Sequence, residues 1–351
     1  MEILANPTAF VGMGQASGSR SENFRGSTAI VGEGVRPTIR WPTTLTPAPW
    51  DNATRPRRSY CEQWRYSCRR WPFRRLDGVP MSPVVLVTGC SSGIGRTTAM
   101  TLAHAGYAVV ATARNLDDLA DLDAGLKLPL DVTRQASVDA ALVALMERYG
   151  RIDALINNAG YAVLGAIEEV PDDAVRHLYD VNVFGVLRMI RAVAPVMRAQ
   201  RSGRIVLLSS VAGKLPTPAN GVYASSKAAI EALGDALRLE LAPHGVQVSI
   251  IEPGPVDTAF NATADKLSQS RIGDSASPYR PLYRRVQQFS ATMRDRQVTP
   301  DTVAETIQRA LVDPRPKARY VVGFGLGGRV MLRTRDLLWG PVAQRMFSNQ
   351  P

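Results

Sequence analysis

The stretch VVLVTGCSSGIG, residues 84–95, decides the fold of this chain of 351 residues. Four apolar residues predict a short buried strand, and a glycine-rich turn joins it to an amphipathic helix over residues 94–105. Glycines in such a turn allow close approach of the backbone to an anion, and the free N–H groups of the helix N-terminus then bind it. The turn therefore predicts a pyrophosphate site made of Gly89, Ser91, Ser92, Gly93, Ile94 and Gly95.

The same alternation of apolar runs and amphipathic stretches continues along the chain. Strands are predicted at residues 84–87, 108–112, 128–130, 154–156, 205–208, 246–251 and 318–322. Helices are predicted over residues 137–149, 171–198 and 222–241, and a further helix begins at Thr299-Pro300-Asp301. This pattern predicts an α/β, Rossmann-like, doubly wound parallel sheet of about seven strands with helices on both faces.

Residues 1–80 differ in composition from the rest. They contain twelve of the arginines, no lysine, six acids and four of the five tryptophans, so the net charge of +11 is concentrated there. We expect a disordered Pro/Arg/Trp-rich extension or a mis-assigned start, because a domain of this kind normally begins near Met81. The alternative is an arm that binds nucleic acid or an acidic membrane.

Residues 81–351 form the expected catalytic domain, which has two irregular parts. Residues 260–298 are polar and arginine-rich, and their length indicates either a functional lid or a mobile insertion. The tail predicts a short amphipathic helix that is broken at Gly340-Pro341.

The end of the second strand bears on cofactor choice. Arg114 follows Ala113 about twenty residues after the glycine turn, where an acid would bind the ribose 2′-hydroxyl of NAD. A guanidinium group at this position pairs with a 2′-phosphate instead. The sequence therefore favours NADP(H) over NAD(H).

The pair Tyr223 and Lys227 is the strongest chemical feature. Residues four apart lie on the same side of a helix, and an ammonium beside a phenol lowers its pKa and prepares it for proton transfer. Ser210 ends the preceding strand, where its hydroxyl can polarise the same substrate oxygen. Asn182 lies inside a predicted helix, which is unfavourable unless its amide has a task.

Together these motifs resemble the short-chain dehydrogenase/reductase family over about residues 82–325. The spacing is similar to that of the compact single-domain branch, and the detailed texture resembles bacterial relatives of 17β-hydroxysteroid and retinol dehydrogenases. The resemblance implies an NADP(H)-dependent oxidoreductase that moves hydride between the nicotinamide and a carbonyl or alcohol carbon. The polar segment 260–298 and the apolar tail are compatible with a lipophilic ketone or aldehyde and equally with a small polar substrate. A non-catalytic NADP(H)-sensing regulator on the same fold is the alternative.

The resemblance also implies a role for each matching residue. Tyr223 would be the acid in reduction and the base in oxidation, Lys227 would hold the nicotinamide ribose, and Ser210 would bind the substrate oxygen. Asn182 would anchor a proton-relay water. Cofactor contacts would come from Asp131, Val132, Asn158, Ala159, Gly160, Pro253, Gly254, Val256 and Thr258. Since a basic residue replaces Ser92 in some NADP-preferring members, Arg114 alone would supply that preference here.

Other classes of function are disfavoured. The three histidines are far apart and the cysteines are sparse, so we expect no metal site. The sequence contains no apolar run long enough for an integral membrane span and no signal peptide, which predicts a cytoplasmic protein. We expect no nucleic-acid partner for the main domain, and a homodimer or homotetramer formed through the two long helices.

Overall fold

The computed structural model describes residues 82–347, and the predictions made for residues 1–80 lie outside them. A seven-stranded sheet forms the centre, in the order β3-β2-β1-β4-β5-β6-β7, and every adjacent pair is parallel. The strands are β1 (Val84–Val87), β2 (Ala108–Ala113), β3 (Leu126–Pro129), β4 (Ala154–Asn157), β5 (Gly203–Leu208), β6 (Val246–Pro253) and β7 (Arg319–Val322). The predicted doubly wound parallel sheet is confirmed.

Helices cover both faces of the sheet. They are α1 (Gly93–His104), α2 (Gln135–Tyr149), α3 (Asp172–Tyr179), α4 (Val186–Gln200), α5 (Gly221–Leu241), α6 (Ala259–Ile272), α7 (Arg280–Met293), α8 (Pro300–Val312), α9 (Leu326–Arg333) and α10 (Arg335–Phe347). Within the described residues, no helix combines the length and the apolar character needed to cross a bilayer.

The sheet separates two apolar cores. Val84 and Leu86 pack with α2, α4 and α5 on one face, whereas Val85 and Val87 pack with α1 and α8 on the other. Successive side chains of a strand point to opposite faces, so a strand buried on both sides must be apolar throughout. This is why four consecutive apolar residues form β1.

The third strand is shifted from its predicted position at residues 128–130. It pairs Leu126 with Val110 and ends at Pro129. Leu130 lies beyond the strand, although its N–H still donates to the Ala113 carbonyl at 2.7 Å. Because β3 is a partly exposed edge strand, pairing with β2 sets its position more than its short apolar run does.

The helix predicted over residues 171–198 is interrupted. A π-helical turn, Asp180–Gly185, separates α3 from α4 and contains Asn182. The Asn182 amide is bonded to the backbone of Tyr161, which is distant in sequence. This tertiary contact explains the irregular turn, because π-turns in helices accommodate specific side-chain positions at some cost in regularity.

The remaining irregular regions are helical. Residues 260–298, which were expected to be a lid or a mobile insertion, form α6 and α7. The predicted break at Gly340-Pro341 is wrong, because α10 continues through Pro341 and the interruption falls at Thr334. Trp339 and Phe347 anchor α10 on both sides of Pro341, so packing offsets the hydrogen bond that proline lacks.

Candidate active site

The glycine turn lies between β1 and α1 and is tied to the end of β4. Asn158 donates from Nδ2 to the carbonyls of Thr88, at 2.9 Å, and Gly89, at 3.0 Å. The Thr88 hydroxyl in turn accepts from the N–H groups of Asn158 and Ala159, each at 3.0 Å. The carboxyl ends of two adjacent strands are thereby joined into one rigid edge.

Glycine is required at two points of this turn. A Cβ at Gly95 would overlap the Gly89 carbonyl oxygen and the Asn158 amide nitrogen. Gly89 has φ +74°, which disfavours other residues, and a Cβ there would lie 2.9 Å from Ala159 Cα. The N-terminus of α1 faces solvent, since Ser91 and Ser92 are exposed, whereas Ile94 is partly buried.

The predicted cofactor residues after β6 face the same turn. A Cβ on Gly93 would lie 3.3 Å from the Thr258 side chain. Backbone contacts fix this segment to β7 and to the residues before α8. Gly254 N–H donates to the Val322 carbonyl at 2.8 Å, and Val256 forms a parallel bridge with Val298. The structure thus brings residues 253–258 against the glycine turn.

Arg114, Asp131 and Val132 lie beyond the ends of β2 and β3. Arg114 is exposed, and its side chain forms no hydrogen bond or ion pair with another described residue. Partial burial of Asp131 acts to raise the pKa of its carboxyl group. Hydrogen bonds from Thr133 and the nearby positive charge of Arg114 outweigh this and hold the pKa below its usual value. Val132 is buried against Gly185 of the π-turn.

The phenol of Tyr223 lies in the first turn of α5 and is almost fully buried. Burial raises its pKa to about 12, while a hydrogen bond with the Ser210 hydroxyl acts in the opposite sense. The Ser210 oxygen accepts from Ala212 N–H at 3.2 Å, and its hydroxyl donates to the Pro253 carbonyl at 3.4 Å. The neighbouring Ser209 donates to the Lys227 carbonyl instead and points away from the phenol.

Lys227 lies one turn further along α5. Its Nζ donates to the Leu208 carbonyl at 2.8 Å and is 5.8 Å from the centroid of the Tyr223 ring. Burial lowers the pKa of Lys227 to about 8, and Glu231 opposes this. The expected lowering of the Tyr223 pKa by Lys227 is not seen in this geometry, because burial of the phenol outweighs an ammonium directed at β5.

Asn182 completes the group. Its Nδ2 donates to the Tyr161 carbonyl at 2.9 Å and to Ser226 Oγ at 3.1 Å, and its Oδ1 accepts from Tyr161 N–H. A Cβ on Gly160 would lie 3.1 Å from Asn182 Oδ1 and 3.7 Å from Lys227 Nζ. Asn182, Gly160 and Lys227 therefore lie close together. The Asn182 amide joins the π-turn to Tyr161, which follows β4, and to Ser226 on α5.

A buried charge cluster behind the site was missed in the sequence. Glu252, fully buried in β6, is paired with Lys214 Nζ at 2.5 Å and Arg319 Nε at 3.2 Å, and Glu231 contacts both cations. Burial raises the pKa of Glu252, while the two cations act in the opposite sense. An acid inside an otherwise apolar parallel strand was an available signal, because a buried carboxylate needs a cation.

Phe260 was also missed. Its ring lies edge-on to Tyr223 at a centroid distance of 5.8 Å, and the surrounding cluster is apolar. The other members of the cluster are Ala162, Leu164, Ala212 and Ala264. Helix α6 therefore covers the phenol with hydrocarbon, a contact that no local pattern in residues 260–298 indicates.

The helices α6 and α7 are fastened to the segment that follows β4. Tyr283 of α7 is buried, bonds to Glu169 and accepts from Ala166 N–H at 2.8 Å. Ser277 donates to the other Glu169 oxygen at 2.5 Å, and Ser268 accepts from Leu164 N–H at 2.8 Å. We call α6 and α7 together the cover.

Comparison with known proteins gives one consistent family. The family model described as short chain dehydrogenase matches residues 83–268. Human 17-beta-hydroxysteroid dehydrogenase type 1 is 37% identical over 256 residues, which are 68% of this chain and 76% of that protein. Bovine retinol dehydrogenase 8 is 35% identical over 252 residues, 67% of this chain and 80% of that protein.

A solved structure agrees with these relatives. A short chain dehydrogenase/reductase from Burkholderia phymatum in complex with NAD has a TM-score of 0.61 and 28% identity, and the match covers 77% of this chain and 98% of that one. The parallel sheet, the glycine turn and the sequence relatives lead to one conclusion. This chain belongs to the short chain dehydrogenase family and is an oxidoreductase.

Proposed function

We propose that this enzyme moves a hydride between NADP(H) and a carbonyl or alcohol carbon, with Tyr223 as the acid in reduction and the base in oxidation. One observation carries the proposal. The buried phenol of Tyr223 lies close enough to the Ser210 hydroxyl for this group to lower its pKa, and it lies one helical turn from Lys227, at the carboxyl edge of the sheet that also holds the glycine turn. Ligands of doubly wound sheets bind at this edge.

The glycine turn fits a dinucleotide. The α1 N-terminus presents backbone N–H groups for a pyrophosphate, and the glycines at residues 89, 93 and 95 let the turn pack directly against Asn158, Ala159 and Thr258. When bound, the nicotinamide ring gives or accepts the hydride. We assign the ring's surroundings to residues 253–258 and the adenine's to Asp131 and Val132, with Asn158, Ala159 and Gly160 lining the floor between them.

Proton transfer depends on the residues of the chain itself. Ser210 donates a hydrogen bond to the substrate oxygen and orients it toward the Tyr223 hydroxyl, which delivers or removes the proton. Lys227 binds the nicotinamide ribose and, once turned from the Leu208 carbonyl, favours the phenolate. The Asn182 amide is already occupied, so a relay water near Lys227 would bind a main-chain carbonyl of the π-turn rather than the amide.

The preference for NADP(H) is assigned to Arg114. Arg114 is exposed just beyond the end of β2, where doubly wound dinucleotide-binding folds have the residue that contacts the ribose 2′-hydroxyl, and this residue is not an acid here. We expect Arg114→Gln to raise KM for NADPH about tenfold and leave KM for NADH nearly unchanged, since it removes one charge-assisted hydrogen bond. Steady-state kinetics with both cofactors measure this, with Arg148→Gln on α2 as the matched control. An equal change for both cofactors would refute the assignment.

The substrate is proposed to be a lipophilic ketone or aldehyde. The surface that covers Tyr223 is apolar, made by Phe260, Leu164 and three alanines. An apolar surface stabilises a substrate in proportion to the hydrocarbon that it removes from water. Two relatives are named for a hydroxysteroid and for retinol, which are both lipophilic, and their names support a lipophilic substrate for this enzyme.

A turnover screen tests the function. Purified enzyme is supplied with NADPH or NADH and with ketones and aldehydes of graded chain length, and with matching alcohols in the reverse direction. We expect activity with NADPH that rises with the hydrocarbon content of the substrate. Cofactor binding without turnover of any carbonyl would favour a sensing regulator instead.

We also propose self-association and a cytoplasmic location. Helices α4 and α5 leave a groove with an apolar floor, lined by Ile190, Ala194, Pro195, Leu237 and Leu241. Such a paired-helix face suits a homodimer with two-fold symmetry or a homotetramer. Cys90 is a buried thiol, which is compatible with a reducing compartment.

A further inference from the structure

The two C-terminal helices present an unusual outer surface. We define the tail surface as the side chains of Leu326, Arg329, Val330 and Arg333 on α9 and of Leu337, Leu338 and Arg345 on α10. Leu326 is 81% exposed and Leu337 is 78% exposed, and all seven side chains are classed as exposed. Four of the exposed large apolar side chains of the described residues lie on the tail surface, and a group of this kind is typical of an interaction surface.

The opposite side of α10 is fastened to the body of the enzyme. Trp339 donates from its indole to the Pro216 carbonyl at 2.9 Å, and Phe347 is buried with its ring 5.3 Å from that of Phe289. At 100° per residue, Trp339, Ala343 and Phe347 share one side of the helix and Leu337 lies on the other. The outward direction of the leucines is therefore set by the packing of the helix.

The charges of the tail surface are all of one sign. Arg329 and Arg333 lie along one side of the Leu326–Val330 stripe of α9, and Arg345 lies on the same side of α10 as Leu338. The sequence from residue 326 to residue 347 holds four arginines and a single acid, Asp336. A helix surface that combines exposed leucines with arginines matches the boundary between acyl chains and anionic headgroups.

A second copy of the chain fits this surface poorly. A two-fold contact would place the same patch on both sides and so bring arginines against arginines. An anionic bilayer offers what this surface requires of a partner, namely negative charge for the arginines and accessible hydrocarbon for the leucines.

We propose that the tail surface docks this enzyme on the face of a bilayer that contains anionic phospholipid, with the leucines entering the headgroup–acyl boundary and the arginines pairing with phosphates. Helix α10 is bonded to Lys214 and Pro216, in the loop that follows Ser210. Docking therefore places the loop next to the active site near the membrane. The inference holds whether or not the substrate is lipophilic.

Vesicle flotation of the full chain tests the proposal. The probes are vesicles of phosphatidylcholine alone and of phosphatidylcholine with phosphatidylglycerol, at low and high salt. We expect the enzyme to float with the anionic vesicles and to dissociate as salt rises, because salt screens the arginine–phosphate attraction. Equal binding to phosphatidylcholine alone, or no binding to either, would overturn the proposal.

Point variants assign the binding to this surface rather than to the arginine-rich residues 1–80. Arg333→Gln should weaken binding to anionic vesicles about fivefold, and Leu337→Asp about tenfold. Matched controls on α2 are Arg148→Gln and Val143→Asp, the latter at a residue that is 55% exposed, and they should bind as the wild type does. All four variants should keep the wild-type thermal transition, since exposed side chains contribute little to stability.

Two outcomes of this series contradict the proposal. The tail surface has no role at the membrane if the α9 and α10 variants float as well as the two controls. It is an interface between copies instead if Leu337→Asp changes the mass measured by light scattering and leaves flotation unchanged.

Discussion

The glycine edge and the cover are built in different ways. The glycine edge, residues 88–95 and 157–160, is held by backbone contacts too close for a side chain, and by Asn158 between two strands. The cover buries few side chains, such as Ala264 and Tyr283, and is fastened by hydrogen bonds to Glu169 and to backbone N–H groups. Close packing tolerates almost no change, whereas a few polar bonds can open locally. From this difference we expect cofactor binding to depend on the rigid glycine edge. Substrate access should depend on the cover, which can open without the sheet.

The largest expected effect lies in the glycine edge. Gly95→Ala places a methyl group against the Gly89 carbonyl and the Asn158 amide, so the turn must open. We expect the Kd for the dinucleotide to rise about 100-fold, because overpacking of a rigid site costs a few kcal/mol. Titration of bound cofactor by fluorescence measures it. Gly327→Ala, where a Cβ meets open space, is the control. Unchanged affinity in Gly95→Ala would show that the edge is as adaptable as the cover.

The second effect concerns the buried amine of Lys227, which lies between the glycine edge and the cover. The pKa of Lys227 is about 8, below the 10.5 of a free lysine. Between these values the unfolded chain holds a proton that the native chain lacks, so this residue makes stability rise with pH. The free energy of unfolding of the wild type relative to Lys227→Met should rise by about 2 kcal/mol from pH 8 to pH 10.

Urea unfolding at several pH values measures this difference. Cys90, whose pKa burial raises to about 12, is present in both proteins, so its contribution cancels. The exposed Lys266 provides the control variant Lys266→Met, for which the difference should be flat. A flat difference for Lys227→Met as well would mean that the ammonium is solvated rather than buried beneath the site.

The smallest expected effect lies in the cover. Tyr283→Phe removes the hydroxyl that bonds to Glu169 and to Ala166 N–H. We expect local opening of residues 259–293 to become easier by about 1 kcal/mol, with the sheet unaffected. Hydrogen exchange of backbone amides resolves the two regions. Tyr279→Phe, which loses only an exposed bond to Glu168, should change exchange less. Equal loss of protection across the sheet would show that cover and sheet unfold as one unit.

The same contrast explains what could be predicted from the sequence. The apolar runs of β1, β2 and β4–β7 and the glycine turn carry local signals, because burial on both faces and tight turns restrict residue type. The cover was not predicted as two helices, because α6 and α7 bury few side chains and α6 lacks an apolar period. The π-turn at Asn182 and the pairing of Lys214 and Arg319 with Glu252 depend on residues far apart in sequence, which a local pattern does not reveal.

The candidate site followed the same division. Tyr223, Lys227, Ser210 and Asn182 were predicted from spacing and family resemblance, and the structure brings them together at one edge. Their catalytic roles stay predictions. Phe260 was not predicted, because its contact with Tyr223 exists only once α6 folds over the sheet.

Tyr223→Phe tests the central claim most directly. The change removes only the hydroxyl that faces Ser210, and Tyr179→Phe on α3 is the matched control. With a substrate identified by the screen, we expect single-turnover hydride transfer to fall about 1,000-fold, because the proton has no donor, while cofactor affinity stays within about twofold. Hydride transfer at the wild-type rate in Tyr223→Phe would contradict the account.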